Sequence, residues 1–139
     1  MISARESPPI RLGSAFFFRH VWVVCSLPDS EGNVVAVNCT TKRSASAGIS
    51  IGTDLNCILR KEDHPSIDHD TVMAYEAARV LTLEEQQCIL NDCPRRPDFS
   101  DALISRIQGG ALRSDLTSQR IQKMIRESMV KQAARARRV

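Results

Sequence analysis

The stretch from Arg19 to Thr41 limits the fold of this chain more than any other. Two segments, Arg19–Ser26 (RHVWVVCS) and Asn33–Thr41 (NVVAVNCTT), are rich in β-branched and aromatic residues, and LPDSEG at 27–32 separates them. Pro28, Asp29 and Gly32 are turn formers, so an antiparallel hairpin follows. Such pairing brings the entry of the first strand close to the exit of the second. Arg19 and His20 then fall near Thr40, Thr41, Lys42 and Arg43. A guanidinium, an imidazole and hydroxyls at one sheet edge suit a phosphodiester.

Short strand-like runs surround the hairpin. Residues 1–11 contain Pro8-Pro9, which bars regular structure, and read as a mobile lead-in. Leu12–Phe18 (LGSAFFF) is a first strand with a glycine bend. Lys42–Gly52 is a small, polar loop of the kind that carries function. Asn56–Arg60 is a further short strand, Asp63–Asp70 (DHPSIDHD) a turn-rich connection, and Thr71–Tyr75 and Ala77–Leu81 the last two strands. Many short strands with frequent turns indicate a small barrel or curled sheet.

At Thr82 the period changes. Thr82-Leu-Glu-Glu85 is a capping box that opens a helix to about Asn91, and Pro94 and Pro97 end that region. A second helix is capped by Asp98 or Ser100, presents Leu103, Ile104 and Ile107, and is stopped by Gly109-Gly110. Leu116, Ile121, Met124, Ile125 and Met129 lie at the spacing of a third, amphipathic helix. That stripe suits core or dimer packing first, with a docking face for an inhibitor peptide as the alternative. The fold class expected is therefore α+β, mainly β. A mobile segment at 1–11 leads into a small barrel with a short helix at 12–92, and a helical extension with a basic tail occupies 93–139.

At 139 residues, with 42% apolar and 25% charged residues, the chain has room for one core and not for two full domains. No apolar run approaches the ~18 residues of a membrane span, and the first nine residues lack the ~7–15-residue apolar stretch of a secretion signal. A soluble, cytoplasmic protein without membrane partners is the expectation. The five cysteines (Cys25, Cys39, Cys57, Cys88, Cys93) form no Cys-x₂-Cys pair, so they read as apolar filler, and neither a metal nor a cofactor is expected. Charge is segregated. Residues 111–139 carry a net +6 within an overall net charge of +3, which leaves −3 on the rest. A basic tail on a mildly acidic body fits a nucleic-acid footprint, and fits a solvated helix end as well.

Three histidines are available to move a proton near neutral pH. Strand alternation points His20 away from the face that Arg19 occupies. His64 and His69 share a loop with Asp63, Asp68 and Asp70. There a carboxylate can orient an imidazole, the cluster can hold a divalent cation, or the side chains can simply cap the turn. Metal-independent RNA cleavage needs a base for the 2′-OH, a cation for the phosphate oxygens and an acid for the leaving 5′-oxygen. Arg19 suits the second task, because its forked donors match a phosphate.

The same strands carry a family likeness. RHVWVVCS at 19–26 followed by VVAVNCT at 34–40 resembles the PemK/MazF/Kid family of bacterial toxin ribonucleases, in which an Arg-Pro-(apolar)₄-Ser strand precedes one of the form (apolar)₅-Thr. Ser66–Leu81 is similar to that family's late pair of strands, and the likeness spans roughly Leu12 to Glu85. Where the family has Arg-Arg-Pro, this chain has Phe18-Arg19-His20. The resemblance implies an SH3-like barrel and a toxin-like endoribonuclease that cuts single-stranded RNA without metal, by 2′-OH attack. It also implies a homodimer neutralised by an antitoxin protein. By the resemblance, Arg19 and Thr40 match the family's catalytic pair; the residues themselves add His64 and His69 as candidate proton carriers and Thr41, Lys42 and Arg43 as candidate nucleic-acid contacts. The alternative is a non-catalytic SH3-like barrel that serves as a protein-binding or regulatory module. The missing Arg-Pro dipeptide, the acidic body and the few aromatics favour it.

Overall fold

A computed structural model describes residues 9–41 and 54–137. The strands are β1 (Ala15–Phe18), β2 (His20–Val24), β3 (Val34–Thr41), β4 (Ile58–Leu59), β5 (Thr71–Leu81) and β6 (Arg95–Arg96). The helices are α1 (Leu83–Asp92), α2 (Asp101–Arg113) and α3 (Gln119–Arg137). The strands form one curled sheet in the order β4-β5-β3-β2-β1-β6, with every neighbouring pair antiparallel. The architecture is α+β, a curled sheet followed by helices.

The expected hairpin is β2–β3, with Trp22 opposite Asn38, Val23 opposite Val37 and Val24 opposite Ala36. Its turn closes on Asp29, whose carboxylate accepts the backbone N–H groups of Glu31 and Asn33 at 2.9 Å each. Gly32 takes a φ of 82° that a side chain would resist. A second, tighter hairpin joins β1 to β2. Phe18 pairs with His20, and Arg19 alone makes the tip with a φ of 65°. Arg19 is thus a hairpin tip and not the first residue of a strand.

Thr71–Leu81 is a single strand of 11 residues and not two. Its pairing with β3 jumps from Asn38↔Ala74 to Ala36↔Arg79, so the extra residues of β5 bulge out around Glu76. One strand thereby pairs with β3 along its length and also carries β4 at its start.

The helices after residue 93 are the second layer of the core. Val23, Val35, Val37, Met73 and Tyr75 pack with Leu103, Ile104 and Ile107 of α2 and Ile121 and Ile125 of α3 in one buried cluster. Polar groups fix the seating. Tyr75 Oη donates to the Ile107 carbonyl at 2.8 Å, Gln108 Nε2 donates to the Cys25 carbonyl at 3.0 Å, and Ser128 Oγ accepts from Leu27 N at 2.7 Å. Gly109 and Gly110 do not stop α2, which continues to Arg113. Gly110 lets the helix pass close to its neighbours, since a Cβ there would run into the Tyr75 hydroxyl and come within 2.8 Å of the Asn56 carbonyl. A glycine pair therefore serves close packing where the sequence pattern suggested termination. The two residues of β6, too short to read from sequence, extend the sheet by pairing with Ala15 and Phe16.

Candidate functional site

Two concavities gather chemistry, and the first lies at the end of β3. Thr41 is opposite Thr71 in the ladder, so His69, two residues before β5 begins its pairing, can reach back to it. Thr41 Oγ1 and His69 Nε2 are 3.0 Å apart, and the Asp68 carboxylate hydrogen-bonds Nδ1 of the same ring. Because a carboxylate only accepts, Nδ1 carries a proton and Nε2 of the neutral ring is left to accept from the Thr41 hydroxyl. The turn is held by Thr71 Oγ1, which donates to the His69 carbonyl at 2.9 Å. The result is a hydroxyl–imidazole–carboxylate chain on a cleft of about 250 Å³ whose lining includes His20, Thr40, Ser66 and Asp68.

The sequence-predicted site residues distribute unevenly around this cleft. Thr40, Thr41 and His69 line it. Arg19 does not, and its guanidinium carbon lies 5.5 Å from the centroid of the Phe18 ring. His64 is buried beneath the turn, 5% exposed, with Nε2 donating to the Pro97 carbonyl at 2.7 Å and Nδ1 accepting from Ser66 N at 3.0 Å. Its ring packs on Phe99 with centroids 4.2 Å apart, so it ties β5's approach to the segment before α2. Lys42 and Arg43 lie outside the described residues. His20, set aside on strand alternation, lines the cleft beside Thr40. The signal for it is the register: two residues outward from Trp22↔Asn38, alternation sets His20 against Thr40 on one face.

The second concavity had no counterpart in the sequence reading. Phe16, Phe18 and Trp22 from the β1–β2 hairpin, Leu81 from β5, and Cys88 and Ile89 from α1 line a groove of about 450 Å³. The Phe16 and Trp22 rings lie 6.4 Å apart and 4° from parallel, and Trp22 Nε1 donates to the Phe18 carbonyl at 3.1 Å. Phe18 is 54% exposed. Charged groups on the same lining are Arg79, Glu84, Glu85 and Asp92. Arg79 and Glu85 pair at 3.1 Å, and the Thr82 backbone N–H, together with that arginine, holds the Glu85 carboxyl below its ordinary range. Sequence periodicity registers such side chains as core, whereas here they leave one side of the sheet only partly covered.

The cysteines separate by burial. Burial pushes the Cys25 and Cys39 thiols up to about 12 and raises Cys57 as well. Cys88 is exposed, and Cys93 is raised first by burial and then by Asp92. Among the described residues, no group of three or more His, Cys, Asp or Glu side chains is arranged to hold a metal ion, and no helix is long and apolar enough to cross a membrane. Compared with models of known protein families and with curated proteins, the chain matches none.

Proposed function

We propose that this chain is a protein-binding module, with the groove between α1 and the β1–β2 hairpin as its ligand seat. One observation carries the reading: an aromatic and aliphatic floor on about 450 Å³ of open groove, with Phe18 54% exposed. Exposed aromatics of this kind stabilise a complex by leaving water, and the buried Phe16 ring stacks behind Trp22 as a rigid support. Arg19 forms a hairpin tip and is not among the residues that line the Thr40–Thr41 cleft, which lends the binding reading further support.

A second reading rests on the rim cleft. Thr41, His69 and Asp68 form a relay, and His20 faces the same space. Two imidazoles are the minimal set for general acid–base cleavage of RNA by its own 2′-OH. On that reading the chain is a toxin-like, metal-independent endoribonuclease with an antitoxin partner and a dimeric form, as the family likeness implies. The readings part on one experiment. The purified chain is incubated with long single-stranded RNA in EDTA beside His69→Ala, Thr41→Val and Ile89→Arg. The module reading expects intact RNA throughout. Discrete fragments that vanish in His69→Ala and persist in Ile89→Arg would transfer the function to the cleft.

A further inference from the structure

The partner's chemistry is written in the electrostatics of α1. The helix begins well, with Glu84 and Glu85 in its first turn, where the positive end of the peptide dipoles favours acids. It ends badly. The last turn holds no basic residue and finishes on Asp92, so a carboxylate sits where the dipoles already point their negative end. Asp92 and Cys93 both line the groove at that end, and Ile89 lies one turn back on the floor. The Cys93 thiol registers the local field, since Asp92 adds to the burial that raises it.

The positive groups nearby are otherwise engaged. Arg79 is paired with Glu85, Arg19 rests over the Phe18 ring and Arg96 over the Phe17 ring, and Arg95, opposite Phe16 in the ladder, is engaged as well. Glu84 and Asp92 also line the groove, and among the described residues no salt bridge holds either one.

We infer that the groove takes a peptide segment in which an apolar or aromatic anchor is followed closely by a lysine or arginine. The anchor covers Phe18, Trp22 and Ile89, and the cation caps the carboxylate end of α1 beside Asp92. The inference rests on the protein-binding reading and specifies its partner. A cation at this point meets a carboxylate and a helix C-terminus together, and each favours it.

Trp22, the sole tryptophan, lies in the groove and reports occupancy by its emission. The experiment is selection of a displayed random nine-residue peptide library on the full chain, followed by titration of the enriched peptides against Trp22 fluorescence. The expected result is enrichment of an apolar or aromatic residue next to Lys or Arg. Binding should fall about two- to fivefold in Asp92→Asn, weaken with added salt, and be abolished in Cys88→Arg. Cys88 is exposed, so the last substitution places a bulky cation in the groove without touching the core. Enrichment of neutral or acidic apolar peptides that Cys88→Arg still blocks would overturn the cation and leave the module standing. No enrichment, or binding indifferent to Cys88→Arg, would overturn both.

Discussion

Arg19 shows how one backbone angle redirects a functional argument. A residue with a β-carbon at a φ of 65° pays for its conformation, about 1–2 kcal/mol, and its guanidinium recovers part of that over the Phe18 ring 5.5 Å away. Arg19→Gly is expected to leave stability unchanged or raise it by up to about 1 kcal/mol, whereas Arg19→Val, branched at a left-handed position, should cost on the order of 1–2 kcal/mol. Urea titration of the two variants checks this, and equal losses would show that the tip is not left-handed. The thiols offer a second check. With Cys25, Cys39 and Cys57 buried and their thiols raised, a thiol-reactive disulfide reagent should modify Cys88 fastest, Cys93 more slowly, and the other three only on unfolding. Rapid modification of a third thiol in the native protein would contradict that packing.

Among the elements, α1 is the one whose start was fully legible. Thr82 Oγ1 accepts from Glu85 N at 3.2 Å and Glu85 Oε1 accepts from Thr82 N at 3.0 Å, the reciprocal pair that the four residues announce. Thr82→Ala should cost about 1 kcal/mol. Because the Glu85 carboxyl is held lower in the folded chain than in the unfolded one, its charge stabilises the fold above the ordinary glutamate range. That contribution is lost as pH falls through the depressed folded value. Melting temperatures of the wild type and Glu85→Gln should therefore differ most near neutrality and converge only once the pH has fallen below the ordinary glutamate range. A gap that widens on acidification would reverse the sign and refute the assignment. The end of α1, expected near Asn91 and found at Asp92, was legible too, but nothing in the Pro94–Pro97 region signals a strand. β6 forms only because the open edge of β1 has backbone donors and acceptors to satisfy.

The helices beyond residue 93 decide whether there is a folded molecule at all. Leu103, Ile104, Ile107, Ile121 and Ile125 are all at most 6% exposed, and each such side chain contributes roughly 1.5–3 kcal/mol by burial. Together they come to roughly 7.5–15 kcal/mol, as large as the ~5–15 kcal/mol by which a domain of ordinary size is stable. A chain ending at Asp92 should consequently fail to fold, with collapsed amide dispersion in its NMR spectrum and no cooperative melt. A well-dispersed, cooperatively melting fragment would show instead that the sheet stands without its second layer.

Local pattern was enough to determine the β2–β3 hairpin, the capping box and the amphipathic stripe of α3 from Ile121 onward, because each depends on residues within a few positions of one another; Leu116, read as part of that stripe, lies before the helix and is 48% exposed. Tertiary structure alone decided that α2 and α3 complete the core and that Gly110 admits Tyr75. It also decided that His64 is sealed under Phe99 while His69 meets Thr41, and that Phe16, Phe18 and Trp22 face an open groove. The two histidines are five residues apart in one loop, and sequence treats them alike. What separates them is which partners the rest of the chain brings to each ring, and that depends on contacts spanning 28 residues to Thr41 and 33 to Pro97.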